Sequence, residues 1–208
     1  MQRDTPPTPV SKGMERGILI LLMSAAAVIG LALLLPAVRQ LVLIANDETS
    51  VSLLTFTDLP ASGTTDAGAT ISSATFESSW VVATGLSDAA RWLLGLGVLF
   101  GALTAAVTIA AVVFFLLLLM WRRPFHRALI TATQIAGAAL LIGSILSVGL
   151  GGLGRMMAAD ELNPIAGDVF VVGFTFDPTV LLAGIGVLAL SIVFSYGVKL
   201  QSDTKGLV

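Results

Sequence analysis

Few side chains in this chain could do acid–base or metal chemistry, and they are dispersed. The single histidine, His126, stands among Arg122, Arg123 and Arg127. A zinc site needs several nitrogen, sulfur or carboxylate donors that converge, and a histidine surrounded by arginines has none of them close in sequence. His126 therefore reads as a loop contact to lipid headgroups. The chain has no cysteine, which excludes disulfides, thiolate metal sites and cysteine nucleophiles. Asp160 and Glu161 are adjacent, with Asp168 and Asp177 downstream. Paired carboxylates can divide acid and base roles or hold calcium, but the ligand spacing of an EF-hand loop is missing, so they read as solvated loop charges. There is no G-x-S-x-G, no H-E-x-x-H and no phosphate-binding glycine loop. The expectation is a non-enzyme with no cofactor and no metal.

The elements that must carry these residues are four uncharged apolar runs, 17–38, 92–121, 128–150 and 178–198. A helix rises about 1.5 Å per residue, so ~20 residues cross a ~30 Å hydrocarbon core. Each run is long enough. Hydrophobic residues make up 56% of the chain, charged residues 12%, and the mean hydropathy is +0.96. A soluble domain carries about twice that charged fraction. The fold class expected is an all-α membrane protein: four transmembrane helices in a bundle, residues 17–198, with a small extracytoplasmic sheet made by the two outer loops. Tails 1–16 and 199–208 flank it. The net charge of −2 supplies no basic surface for phosphates, so no nucleic-acid partner is expected.

Charge gives the chain a direction. With the N-terminus inside, Arg3, Lys12, Arg16, Arg122, Arg123, Arg127, Lys199 and Lys205 fall on the inner side, and only Arg39, Arg91 and Arg155 on the outer. Lys and Arg accumulate on the cytoplasmic side. Both termini therefore read as cytoplasmic, in a multi-pass protein of the cell membrane. Ten of the 13 acidic residues fall outside. The first apolar stretch, 17–35, is longer than the ~7–15 residues of a signal-peptide core, so an uncleaved anchor is expected. Pro36 should kink or end that helix near its outer end.

The outer segments are 39–91 and 151–177. Within the first, Val51–Thr57 and Thr70–Thr84 have strand character, separated by a turn region from Pro60 to Gly68. Within the second, Phe170, Val172, Phe174 and Phe176 would share one strand face. One apolar face needs a cover, so strands from both loops are expected to pair into a sheet capping the helices. The inner loop, Trp121 to Arg127, is short enough to force the second and third helices into an antiparallel hairpin.

Gly97, Gly101 and Ala105 recur at four-residue spacing on the second helix, and Ala139, Gly143 and Ser147 on the third. Small residues let helix backbones approach closely in lipid, so these stripes should face each other or mediate a homo-oligomer. Gln134 is the costliest polar group in a span to leave unpaired, and an interhelical hydrogen bond is expected there. No Asp, Glu, Lys or Arg lies inside a run, which argues against an ion-coupled carrier. Arg122, Arg123 and Arg127 read as topology determinants, with an anionic headgroup as the more specific alternative.

Phe194, Gly197, Leu200, Gln201, Asp203, Leu207 and Val208 at the end of the chain, with Pro124-Phe125 in the inner loop, form a pattern. It resembles the bacterial domain-of-unknown-function family 2975, although Tyr196 stands where that family usually has Arg. The resemblance implies an uncharacterised bacterial four-helix integral membrane protein. Members are often encoded beside a small helix-turn-helix regulator, which implies a regulatory or signalling role. The matched residues also carry a physical reading of their own: the tail from Phe194 and the inner loop would form a cytoplasmic surface, with Arg122, Arg123, Pro124, Phe125, Arg127, Gly197, Leu200 and Gln201 as its contact or topology residues. The leading functional expectation is a non-enzymatic partner-binding, signalling or accessory membrane subunit. Its partners would be the bilayer, a membrane or cytoplasmic protein, and a second copy of itself. The alternative is a small permease or channel-like protein for a neutral solute.

Overall fold

The computed structural model describes residues 12–58, 63, 66, 68–71, 74–121 and 127–205. In chain order these form α1 (Lys12–Ala45), β1 (Glu48–Asp58), β2 (Thr75–Thr84), α2 (Asp88–Met120), α3 (Arg127–Ala166), β3 (Phe170–Val171) and α4 (Thr179–Lys205). All four helices are long and apolar enough to cross a membrane. They are apolar all round, a property of helices buried in protein or in lipid. On α1, Leu21 and Val28 are 67% and 66% exposed. Hydrocarbon covers such a surface where water would not.

The helices outrun their apolar cores. α1 passes through Pro36 and continues to Ala45, where Pro36 had been expected to kink or end it. α3 carries on sixteen residues beyond Leu150, through a stretch expected to be loop. Arg155, Asp160 and Glu161 end the apolar run there, but charge does not end a helix. A left-handed glycine does: Gly167 has φ 72°, and its N–H donates to Asn163 O. This is a common stop, because glycine adopts positive φ without steric cost.

The main helix contacts run in chain order, α1 on α2, α2 on α3 and α3 on α4. α2 and α4 also approach at the rings of Phe115 and Phe194, 6.2 Å apart. Among the described residues the helices thus pack mainly on their neighbours in chain order, with α2 and α4 meeting at that ring pair. α3 is shared between two partners. Its first part, Arg127–Ala138, packs mainly on α4, and its last, Ser144–Ala166, mainly on α2. Between them, Ala139–Gly143 is wound as a π-turn. Such a turn widens the helix and rotates the face that follows.

Glycines make both seams close. A Cβ on Gly97 would stand 2.6 Å from Gly151 Cα, and one on Gly154 2.7 Å from Leu94 N. A Cβ on Gly143 would run into the Thr104 hydroxyl. On the α3–α4 side, Gly137 meets Leu188 and Gly184 meets Leu140 and Leu141. Ser147 Oγ donates to Gly97 O at 2.8 Å. Packing and such interhelical hydrogen bonds are what hold helices together in lipid.

The sheet has the order β2-β1-β3, all antiparallel, and joins strands from both connecting segments. Alternation places Thr49, Val51, Leu53 and Thr55 on the buried face of β1. That face closes over a core containing Ile44, Leu86, Leu94, Ala158 and Ala159. The sheet therefore sits on the ends of α1, α2 and α3. β3 is only two residues long, shorter than the alternation from Val169 to Asp177 suggested. Asn163 replaces the missing partner strand: its amide donates to Phe170 O at 2.9 Å and accepts from Phe170 N at 3.0 Å. Phe174 then leaves the sheet and lies on Gly152 of α3.

Gly97→Ala and Gly143→Ala should each destabilise the protein by roughly 1–3 kcal/mol, the usual range for overpacking. Gly186→Ala, on α4 with nothing within 4 Å of the added Cβ, should be neutral or stabilising by up to about 1 kcal/mol. Thermal unfolding in one detergent compares all three.

Candidate functional site

The polar groups concentrate where the sheet meets the helix ends. Arg91, on the first turn of α2, is the hub. Its Nη1 lies 3.1 Å from Asp47 Oδ1 and 3.7 Å from Asp88 Oδ1. Its Nη2 donates to Ile44 O at 2.9 Å. Ile44 lies in the last turn of α1, whose terminal carbonyls have no partner within the helix. Asp47 follows with φ 62°, the conformation that turns the chain into β1. One guanidinium thus fastens the exit of α1, the entry to β1 and the start of α2.

A second clamp crosses from α3. Ser87 is the N-cap of α2, and its Oγ accepts from Ala90 N. Glu161 on α3 accepts from both Ser87 N and Ser87 Oγ. A carboxylate at a helix N-terminus is favoured by the helix dipole. Below Arg91, an apolar cavity of about 410 Å³ opens between α1 and α2, lined by Leu41, Ile44, Trp92, Leu96 and Leu99.

Arg155 occupies a different environment. It is half-buried on α3, and its Nε donates to Gly151 O at 3.2 Å. Among the described residues no carboxylate lies within ion-pair distance of it. Two cavities adjoin it. One, about 220 Å³, is lined by Gln40, Ser50, Ser52, Trp80, Ser147 and Arg155, among others. The other, about 230 Å³, is lined by Ser52, Glu77, Ser78, Phe174 and Arg155. Arg155 and Ser52 border both.

The third feature of this end is β2. Among the described residues only β1 pairs with it, which leaves its outer edge without a strand partner there. Phe76, Trp80 and Val82 are 52%, 76% and 65% exposed along it.

The residues singled out by spacing fall in three groups. Gly97, Gly101, Gly143 and Ser147 come together in the α2–α3 seam. Thr104 Oγ1 reaches Ala139 O at 3.4 Å beside them, and Ala105 is half-buried on α2. Gln134 is exposed on α3, and among the described residues no hydrogen bond joins it to another helix. Arg122, Arg123, Pro124, Phe125 and His126 lie outside the described residues, as do the side chains of Leu200 and Gln201. Arg127 is exposed and Gly197 half-buried, and the rest of the expected contact surface lies outside what is described. Of the carboxylates, Asp160 is solvated and Glu161 is the clamp on α2. Asp177 caps α4, accepting from Thr179 N at 2.9 Å. Hydrogen bonds from the Thr179 side chain and backbone hold its carboxyl below the ordinary carboxylate range. Arg91 and Arg155 were legible only as outer-side charges. The one signal was their position at the edges of glycine-rich helical runs. No group of three or more His, Cys, Asp or Glu that could hold a metal exists among the described residues.

Comparison with protein-family models, with curated proteins and with solved structures finds no match. The class is set by the fold alone: a mostly helical protein with four helices long and apolar enough to cross a membrane, bearing a three-stranded sheet at one end.

Arg91→Ala leaves the carbonyl of buried Ile44 without its partner and frees the half-exposed Asp47, and should destabilise the protein by about 1–3 kcal/mol, most of it from the orphaned carbonyl. Thermal unfolding measures this. Asp177→Ala should lower the melting temperature at neutral pH. Because the folded carboxyl is held low, its contribution is present above the ordinary carboxylate pKa of ~3.9 and lost as pH falls through the lower folded value. The difference between variant and wild type should therefore shrink in acid.

Proposed function

We propose that this chain is a non-enzymatic integral membrane protein of the bacterial cell membrane, a partner-binding, signalling or accessory subunit with both termini cytoplasmic. The sheet then lies outside the cytoplasm. The distribution of Lys and Arg supports that orientation. The resemblance of Phe194 to Val208 to family 2975 supports a regulatory role.

The observation that carries the partner-binding reading is the outer edge of β2, without a strand partner among the described residues. Native sheets protect an open edge with lysine, proline, a bulge or a covering segment. β2 is ten residues, Thr-Phe-Glu-Ser-Ser-Trp-Val-Val-Ala-Thr, with one charge and no proline. The bulge in its pairing lies on the β1 side. An extended segment of a partner protein would add to such an edge, its main chain providing affinity and Phe76, Trp80 and Val82 providing selectivity. The partner is therefore an extracytoplasmic protein or the extracytoplasmic segment of another membrane protein.

A photo-crosslinking residue in place of Val82, used in living cells, should trap one discrete protein. Phe76→Lys in the same chain should reduce that product several-fold. It should leave stability within about 0.5 kcal/mol, as for exposed sites. Crosslinks to lipid alone, or protein crosslinks indifferent to Phe76→Lys, would contradict the reading. A neutral-solute flux in liposomes would favour the permease alternative.

A further inference from the structure

Arg155 is the one half-buried Lys or Arg among the described residues that has no carboxylate partner. Arg91, equally buried, has two. Placing a charge in a partly desolvated position without a counter-ion is costly. With ten acidic residues in the two outer segments, four of them in the segment that holds Arg155, the arrangement is informative. We propose that Arg155 and the cavity of about 220 Å³ beside it form a binding site for a phosphate-type oxyanion, either free or as the headgroup of an anionic lipid. The inference shares only Trp80 with the β2 edge and goes beyond the partner-binding reading.

The donors suit an oxyanion. The guanidinium carries five N–H groups in a planar fork, and only Nε is engaged, on Gly151 O. The terminal nitrogens remain for a bidentate contact, the strong mode for phosphate and carboxylate. Ser52 borders both cavities, and its hydroxyl has no hydrogen-bond partner among the described residues. Gln40 uses one amide hydrogen on Ser50 O at 3.1 Å and keeps the other. Ser147 Oγ is already committed to Gly97 O and shapes the floor. No carboxylate lines this cavity. Glu77 lines the neighbouring one, beyond ion-pair distance from Arg155, and its charge opposes an incoming anion.

The site's place in the fold suits both sources. Its floor is Leu94, Gly97 and Val98 of α2, and its roof is Ser50 and Ser52 of β1. It thus spans the passage from apolar helix to polar sheet, the depth at which a lipid phosphate lies if the helices cross a bilayer.

The test uses the full chain in nanodiscs. In neutral phosphatidylcholine discs, inorganic phosphate is titrated by calorimetry. In discs containing phosphatidylglycerol, retention of that lipid is read by native mass spectrometry. Saturable phosphate binding assigns a free oxyanion, and selective retention of phosphatidylglycerol assigns a headgroup. Either supports the site, provided that Arg155→Gln weakens it about tenfold or more and Glu77→Gln leaves it unchanged or tighter. If Arg155→Gln fails to fold, Ser52→Ala substitutes for it, with an expected loss of about three- to tenfold. Neither probe binding to the wild type, or binding indifferent to Arg155 and Ser52, overturns the proposal.

Discussion

The backbones of α2 and α3 meet at Gly97 and Gly151 with no side chain between them, and the rest of the molecule is built on that contact. Helices in hydrocarbon gain little from burying apolar surface against each other, since lipid is as apolar as leucine. Close packing and satisfied hydrogen bonds must hold them. The Ser147 hydroxyl on Gly97 O supplies one such bond, and Thr104, seated where a Gly143 side chain would otherwise be, extends the seam by two turns. Widening the seam would also part Leu94 from Ala158 and Ala159, the residues that underlie the sheet.

Above the seam, polar clamps replace close packing. Arg91 ties the carbonyl end of α1 to the amino end of α2, and Glu161 ties the same amino end to α3. Both use helix termini, where backbone groups lack intrahelical partners. The sheet is thereby held at one angle to the helices, its buried face over the core and β2 at the edge. The π-turn lets α3 face α4 below and α2 above. α3 is therefore the main link between the α1–α2 pair and α4, beside the Phe115–Phe194 ring pair.

Length and uniform apolarity made the four helices legible, and strict alternation did the same for β1. Three features were hidden, each for a physical reason. The extension of α3 past Leu150 was obscured because Gly151, Gly152 and Gly154 resemble a loop. Their use is close approach to Leu94, Gly97 and Phe174, which local composition does not reveal. β3 is shorter than its pattern because Asn163 satisfies Phe170 from a helix, a contact across seven residues that no strand period encodes. The spacing of Gly97, Gly101, Gly143 and Ser147 was readable, but the partners Thr104 and Gly151 were set by the register of two helices. Gln134 shows the limit of reasoning from cost alone. It is exposed where a hydrogen bond across helices was expected.

Everything proposed about function rests on which side of the membrane the sheet occupies. The absence of cysteine from the chain makes this directly measurable. A single cysteine is introduced at Ser78, exposed on β2, or at Lys199, exposed near the end of α4. Intact cells are then treated with a membrane-impermeant maleimide. With the sheet outside, Ser78→Cys is labelled at once and Lys199→Cys only after permeabilisation. Labelling of Lys199→Cys in intact cells with protection of Ser78→Cys would invert the molecule and contradict the proposed role of the sheet.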